Sequence, residues 1–337
     1  MQILENYSLK HLNTFGVEVK ARYFVEIKSE FELKELFDMP IFKENKKLFL
    51  GGGSNTLFTR DFDGLVILNK IKGIKILKED DNDVEIFASG GEIWHDLVLF
   101  SVERDLWGIE NLALVPGTVG AAPMQNIGAY GVELKETILS VEACDIETGE
   151  KRIFQNQDCG FGYRESVFKN ILKDKYFITA ITLKLSKKDN KKLEYRVLKD
   201  FIDKNNIEIK NVKDVSDMVT QIRRSKLPDP KVIGNAGSFF KNVFIDQNKL
   251  QEILAIYPDV PYFTEDSVVK IPTAWMIEQC GYKGKRFGNV GVHDKQALIL
   301  VNHGGGTGEE ILKLAEEIIS VVSIKFGIAI SPEVNLI

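Results

Sequence analysis

ALVPGTVGAAPMQNIGAYG, residues 113–131, fits four glycines and two prolines into nineteen positions without one charged side chain. Inside a helix each glycine costs roughly 1 kcal/mol relative to alanine and each proline roughly 3, so the stretch breaks the helical spacing of EIWHDLVLFSVERDL at 92–106. An exposed loop of that length would ordinarily carry polar side chains. The expectation is a segment that lies against something flat or bulky and meets it with backbone rather than with long side chains.

Working outward, the flanks alternate strand and helix patterns. Upstream, Ser29 and Glu32 form a capping-box pattern before FELKELF, KLFL at 47–50 is a short strand running into GGGSN at 51–55, and DGLVILN and VEIFASG are further strands. Downstream, ILSVEACDIETGEKRIF reads as a hairpin around Glu147-Thr148-Gly149, KYFITAITLKLS as a long strand, and KKDNKK as a charged turn. Helical spacing returns in RVLKDFIDKNN and DVSDMVTQIRRSKL, after which Pro228-Asp229-Pro230 marks a boundary, with a domain junction near residue 223. Beyond it, GNAG at 234–237 is a turn and SFFKNVFI a strand. QNKLQEILAIY is a helix capped by Asp246, and Pro272 suits the first turn of PTAWMIEQC, which Gly281 ends. Thr307 and Glu310 occupy capping-box positions before a helix near 307–325, and SPEVNLI closes as a strand. The class is mixed α+β.

Composition bounds the function. At 337 residues, with 44% hydrophobic and 28% charged residues, the chain has room for two or three ordinary domains, and a net charge of −5 gives no footprint for nucleic acid. Its apolar runs fall short of the roughly 20 residues a membrane helix needs, and MQILENYSLK lacks the order of a signal peptide. The expectation is a cytoplasmic chain with no membrane partner. Cys144, Cys159 and Cys280 show no C-x-x-C spacing and the four histidines no H-x-x-x-H pair, so no metal is expected and the thiols read as reduced and mostly buried.

Taken singly, the local motifs are ambiguous. GGGSN can cradle a pyrophosphate with successive backbone N–H groups, yet it matches neither a P-loop nor G-x-G-x-x-G and reads equally as a tight turn after a buried strand. GGGTGEE at 304–310 looks like a phosphate loop, but Glu309 and Glu310 put negative charge where an anion would sit, which favours a structural strand-to-helix turn. His95 and His293 read as hydrogen-bonded structural histidines. Ser238, set between GNAG and a Phe pair, is on its own a turn or capping serine.

The order of the motifs carries more than any one of them. NTFG at 13–16, GGGSN at 51–55, PGTVGAAPMQNIGAYG at 116–131, FGYRES at 161–166, KLPDP at 226–230, GNAGSFFKN at 234–242 and PEV at 332–334 follow in sequence. Together they resemble the UDP-N-acetylenolpyruvoylglucosamine reductase family over about residues 10–337, in its longer form with an additional tyrosine-bearing loop around Tyr195. One departure is Val243, where the family commonly has proline after Asn242.

The resemblance implies an FAD-binding fold of the PCMH or vanillyl-alcohol-oxidase type, two α+β subdomains plus a third α+β domain for substrate. On that basis residues 1–67 form the first subdomain, 68–222 the second, with a strand within 326–337 returning to it, and 223–325 the substrate domain. It implies that Gly51, Gly52, Gly53, Ser54 and Asn55 contact the FAD pyrophosphate with Pro116, Gly117, Thr118, Gly120, Ala121 and Ala122, and that Gln125, Asn126 and Gly128 run along the cofactor. It implies NADPH as hydride donor and UDP-N-acetylenolpyruvoylglucosamine as acceptor, with catalytic roles for Ser238, Arg164 and Glu333. Tyr130, Tyr195, Lys226, Asn242, Tyr262, Lys270 and Gln296 are the substrate-binding candidates. The chain is expected to be monomeric. Two rivals stay open at this point: an FAD-dependent oxidase of the same fold class and a non-catalytic UDP-sugar-binding module.

Overall fold

A computed structural model describes residues 1–265 and 268–337. The chain divides into two compact units, the first comprising Met1–Tyr7, Ala21–Gly52 and Asp63–Ser225, the second Ser8–Lys20, Gly53–Phe62 and Lys226–Ile337.

In the first unit a four-stranded sheet runs in the order Ile3–Ser8, Lys20–Ile27, Phe62–Asn69, Lys47–Leu50. KLFL pairs in parallel with the second half of FDGLVILN, Leu50 opposite Leu68, and so delivers the glycine run at a sheet edge. A five-stranded antiparallel sheet runs Lys151–Gln155, Ile138–Asp145, Tyr176–Ser186, Asp83–Ser89, Ile74–Glu79. The expected hairpin is its first pair, and the long strand sits at its centre, buried at nearly every position. The helix read over 92–106 is confined to Trp94–Val102. Its lead-in is taken up otherwise, because Ile93 bridges Thr118 and the Trp94 N–H donates to the Gly117 carbonyl at 3.1 Å. Trp94, Leu97 and Val98 then anchor one hydrophobic core, while Val25, Leu33, Leu36 and Phe177 belong to another. Ser29 caps Glu30–Asp38 by accepting from the Glu32 N–H, but the Glu32 carboxylate takes the N–H of Lys28 instead of closing the box.

In the second unit Gly234–Asn235, Leu300–Asn302, Val290–Val292 and Arg286–Phe287 form one antiparallel sheet, and Val243–Ile245, Val268–Ile271 and Phe263–Glu265 another. Phe15, Phe239 and Phe240 are fully buried, with Phe15 and Phe239 edge to face at 6.3 Å. Asp246 caps Gln247–Ile256, and Thr307 and Glu310 close a complete capping box on Gly308–Phe326. Pro272 sits at the N-cap of Thr273–Gln279, one position before the first turn.

Two expectations change here. SFFKNVFI is a strand only over Val243–Ile245, because its first residues bond to changing partners: the Phe239 N–H goes to the Leu298 carbonyl and the Lys241 N–H to that of Ser331. The C-terminal strand shrinks to Asn335–Leu336 and pairs in parallel with Thr56–Leu57 rather than with the 68–222 segment. The Asn335 side chain fixes that register by donating to the Asn55 carbonyl at 3.0 Å.

Candidate active site

In the first unit the two glycine runs meet backbone to backbone. A Cβ on Gly52 would lie 2.9 Å from the Gly117 Cα, and one on Gly51 would lie 2.6 Å from Thr118 Oγ1. Real Cβ contacts essentially never fall below 3.0 Å, so glycine at 51 and 52 is what allows the approach. A Cβ on Gly120 would lie 3.1 Å from Gly90 and 3.2 Å from the Ile178 carbonyl, tight but less so. The N–H groups of Val119, Gly120 and Ala121 donate to the carbonyls of Glu92, Gly90 and Thr118 and so organise the loop. Thr118 Oγ1, by contrast, is buried and has no hydrogen-bond partner in the protein. A buried hydroxyl in that state costs about 1–3 kcal/mol, which a ligand acceptor would relieve.

The segment then turns through Asn126, left-handed at φ 43° and fully buried. Its amide donates to Glu133 Oε2 and to the Gly162 carbonyl, both at 3.1 Å, while its Oδ1 accepts from the Lys135 N–H at 2.9 Å. That side chain is committed to scaffold, so contact with a cofactor at Asn126 would fall to backbone. The Gly162 bond draws in the FGYRES turn, where Arg164 at φ 56° donates through Nη2 to the Gly128 carbonyl at 3.0 Å. The Ser166 hydroxyl donates to the Met124 carbonyl at 2.7 Å. FGYRES and PMQNIG are thus laced at three points, and Arg164 is set against the backbone of the uncharged segment.

Tyr130 lies further along at φ 50°, and the Tyr195 ring meets it edge to face at 5.8 Å. Burial pushes the Tyr130 phenol above its usual range, opposed by the positive charge of the Arg223 guanidinium. Arg223 itself is held below its ordinary value by burial, and its Nε has no protein partner. Arg223 escaped the sequence reading. The available signal was its place one helical turn before Lys226, on Val212–Lys226.

In the second unit NTFG is the hub. A Cβ on Gly53, whose φ is +60°, would lie 1.9 Å from the Leu12 carbonyl oxygen, and the Thr14 N–H donates to the Gly53 carbonyl at 3.1 Å. On its other side the Thr14 carbonyl accepts from the Asn235 N–H at 2.9 Å, and a Cβ on Gly234 would strike the Phe15 carbonyl at 2.2 Å. The buried Asn235 side chain accepts from the Gly237 N–H at 3.0 Å, bending GNAG so that Ser238 follows a left-handed glycine. Asn55 donates to the Glu333 carbonyl at 3.3 Å, and Ser54 is half-buried beside it. Asn55, Glu333 and Phe239 are therefore joined by hydrogen bonds in this unit, with Ser54 and Ser238 as their chain neighbours.

The substrate candidates here are more spread. Asn242 Oδ1 caps the helix beginning at Thr273 by accepting its N–H at 3.3 Å. Lys270 faces Phe244 and Phe263 across the three-stranded sheet, its Nζ 5.5 Å from the Phe263 ring. Tyr262 and Lys226 are exposed, and Gln296 Oε1 accepts from the Leu298 N–H. Val243 heads its strand opposite Ile271. GGGTGEE is structural as expected: Asn302 Oδ1 takes the N–H groups of Gly304 and Gly306, and a Cβ on Gly308 would lie 1.7 Å from the Phe58 carbonyl. His95 accepts the Leu114 N–H at 3.0 Å, again a structural role.

Among the described residues no group of His, Cys, Asp and Glu could hold a metal ion, and no helix is long and apolar enough to cross a membrane. Residues 21–153 match the family model described as FAD binding domain, and residues 229–337 match the C-terminal domain of UDP-N-acetylenolpyruvoylglucosamine reductase. With the glycine cradle, these define an FAD-dependent oxidoreductase of α+β fold. The chain is 48% identical over 342 residues to a UDP-N-acetylenolpyruvoylglucosamine reductase of Flavobacterium johnsoniae and 46% identical to one of Amoebophilus asiaticus, in each case over 100% of both chains. The crystal structure of the corresponding enzyme from Thermus caldophilus shares the fold, with a TM-score of 0.67 at 21% identity over 99% of this chain and 98% of that one. The chain belongs to the UDP-N-acetylenolpyruvoylglucosamine reductase family, as its motif order indicated. Where these glycine runs meet, the buried Thr118 hydroxyl without a protein partner suits an acceptor on FAD.

Proposed function

We propose that the chain reduces the enolpyruvyl group of UDP-N-acetylenolpyruvoylglucosamine to give UDP-N-acetylmuramate, a precursor of peptidoglycan, with NADPH as reductant. FAD, when bound, supplies the carrier that takes hydride from NADPH and passes it to the terminal CH₂ carbon of the substrate. What carries the reading onto named residues is the second-unit assembly in which Asn55, Glu333 and the residue after Ser238 share hydrogen bonds.

An enol ether accepts hydride poorly unless the negative charge that develops next to its carboxylate is stabilised. Arg164 supplies a permanent cation for that carboxylate, in a fork whose one arm is already fixed by Gly128. Ser238 donates the proton to the carbon bearing the carboxylate, completing addition of hydride and proton across the double bond. A serine hydroxyl is a weak acid, so its competence rests on orientation, which Gly237 and the two backbone bonds of Phe239 supply. Glu333 stands close by as a proton-holding or network-pairing carboxyl. Tyr130, Tyr195, Lys226, Asn242, Tyr262, Lys270 and Gln296 contact the UDP-sugar. The reading includes residues 1–67 and 68–222 as flavin subdomains, 223–325 as the substrate domain, a monomer, and a cytoplasmic location.

An anaerobic two-step titration tests it. NADPH should bleach the yellow protein, and the UDP-enolpyruvyl sugar should restore the colour with one equivalent of UDP-N-acetylmuramate formed. Colour returning only on admission of oxygen would overturn the proposal in favour of an oxidase.

A further inference from the structure

Asn111 is a residue that no motif singled out. It has no solvent exposure, and it lies in a short 3-10 turn, Glu110–Leu112, just ahead of the uncharged segment. Its Nδ2 donates twice, to the Tyr130 carbonyl at 3.1 Å and to the Lys192 carbonyl at 2.8 Å. The first bond holds a residue whose left-handed backbone is unfavourable for a bulky side chain. The second holds the charged turn KKDNKK three residues before Tyr195. One buried amide thus ties together the two segments whose rings meet at 5.8 Å. A Cβ on Gly131 would sit 3.7 Å from the Tyr195 Cβ, so the backbone after Tyr130 also runs near the Tyr195 side chain. Beneath it, the neighbouring Glu110 carboxyl accepts the Gly108 N–H at 2.6 Å and fixes the turn that presents Asn111.

At its start the 187–195 segment is also held by the Lys187 N–H, which donates to the Asn82 carbonyl at 2.7 Å, and by the exchange of bonds between Ser186 and Lys188, while Leu193 packs against the core. Lys187 and Lys191 pair with Glu79 and Asp189 through exposed ion pairs, worth only about 0–1 kcal/mol each. The Asn111 donor, by contrast, comes from a side chain with no solvent exposure, so its bond to the part-buried Lys192 carbonyl links the segment to the interior.

We infer that Asn111 is a positioning residue, which holds the Tyr195-bearing segment against the Tyr130 turn so that both rings are pre-arranged for the UDP-sugar. The inference rests on the reading of Tyr130 and Tyr195 as substrate contacts, but the tie itself can be tested without substrate. Lys187, Lys188, Lys191 and Lys192 offer trypsin four sites within the tethered segment.

The test uses the FAD-loaded protein. Wild type should resist trypsin at Lys191 and Lys192, whereas Asn111→Ala, with both donors removed, should be cut there at least ten times faster. Asn111→Asp keeps the shape but turns the donor into an acceptor, and should be cut as readily as the alanine variant. Flavin reduction by NADPH should stay within about twofold in both, while the Kd for the UDP-sugar rises about tenfold and combining Asn111→Ala with Tyr195→Ala adds nothing further to that loss. Unchanged cleavage in the variants overturns the inference, and so does rapid cleavage of wild type at Lys192, which decides the matter even if neither variant folds. Faster cleavage with substrate affinity unmoved in Asn111→Ala, Tyr130→Phe and Tyr195→Phe alike overturns the substrate-contact reading and leaves the tie standing.

Discussion

The Glu333 N–H donates to the carbonyl of Phe239 across 2.7 Å. Phe239 follows Ser238, and its own N–H is held by the Leu298 carbonyl at 2.7 Å. The backbone carrying the hydroxyl is therefore clamped on both sides of one residue, with Glu333 forming one jaw. An acid as weak as serine can work only from a fixed position, and this clamp provides one.

Replacing Ser238 by alanine removes the proton and leaves the clamp. Reduction of the flavin by NADPH should proceed at the wild-type rate, while its reoxidation by the UDP-enolpyruvyl sugar slows by roughly 10²–10⁴-fold. Anaerobic stopped-flow absorbance separates the two steps, and equal slowing of both would remove Ser238 from the proton-donor role.

Arg164→Lys keeps the charge but cannot hold the Gly128 carbonyl and a carboxylate with one planar fork. Charge-assisted hydrogen bonds contribute about 1.5–3 kcal/mol, so the substrate half-reaction should fall roughly 10- to 150-fold. Retention of full activity by the lysine variant would show that charge alone suffices.

Thr118→Val deletes a buried hydroxyl that no protein atom satisfies. The flavin-free protein should be as stable as wild type or up to about 1 kcal/mol more stable, while FAD binding weakens by about tenfold. Urea denaturation of the stripped protein and fluorescence titration with FAD measure the two effects. Loss of stability without loss of affinity would mean the hydroxyl serves the fold.

Burial pushes the Cys159 thiol up to about 12 from an ordinary value of 9. A folded-state pKa above the unfolded one gives stability that is complete below about pH 9 and is lost as pH rises toward 12. Cys159→Ala should therefore flatten the fall in urea midpoint between pH 9 and 11 relative to wild type. Iodoacetamide at pH 8 should leave Cys159 unmodified in the native protein, and rapid alkylation there would contradict its burial.

Local chemistry was the legible part. Ser29, Asp246 and Thr307 cap the helices their spacing announced, and the Lys151–Gln155 hairpin and its long neighbour followed from alternation and turn residues. What stayed hidden depends on partners remote in sequence. SFFKN has strand-like residues, yet Phe239 and Lys241 bond to Leu298 and Ser331 instead of to one ladder. Likewise Asn111 and Asn126 look alike in sequence, each between a polar residue and an aliphatic one. Only the folded chain shows that one amide ties Tyr130 to Lys192 and the other ties Glu133 to Gly162. Gly90 and Gly91 follow a strand without any motif, though a Cβ on either would meet an atom at 2.6 Å.

The parallel pairing of Thr56–Leu57 with Asn335–Leu336 has a meaning for how the protein is made. Asn55 leaves the ribosome 280 residues before the asparagine that bonds to its carbonyl. Vectorial synthesis leaves that strand without its partner while almost everything between is translated, so the second unit cannot close in the order in which it is born. Ser238 is synthesised well ahead of Glu333 and gains its clamp only afterwards. A truncated product stalled before residue 333 would lack that bond, which couples completion of the chain to assembly of the proposed proton donor's seat.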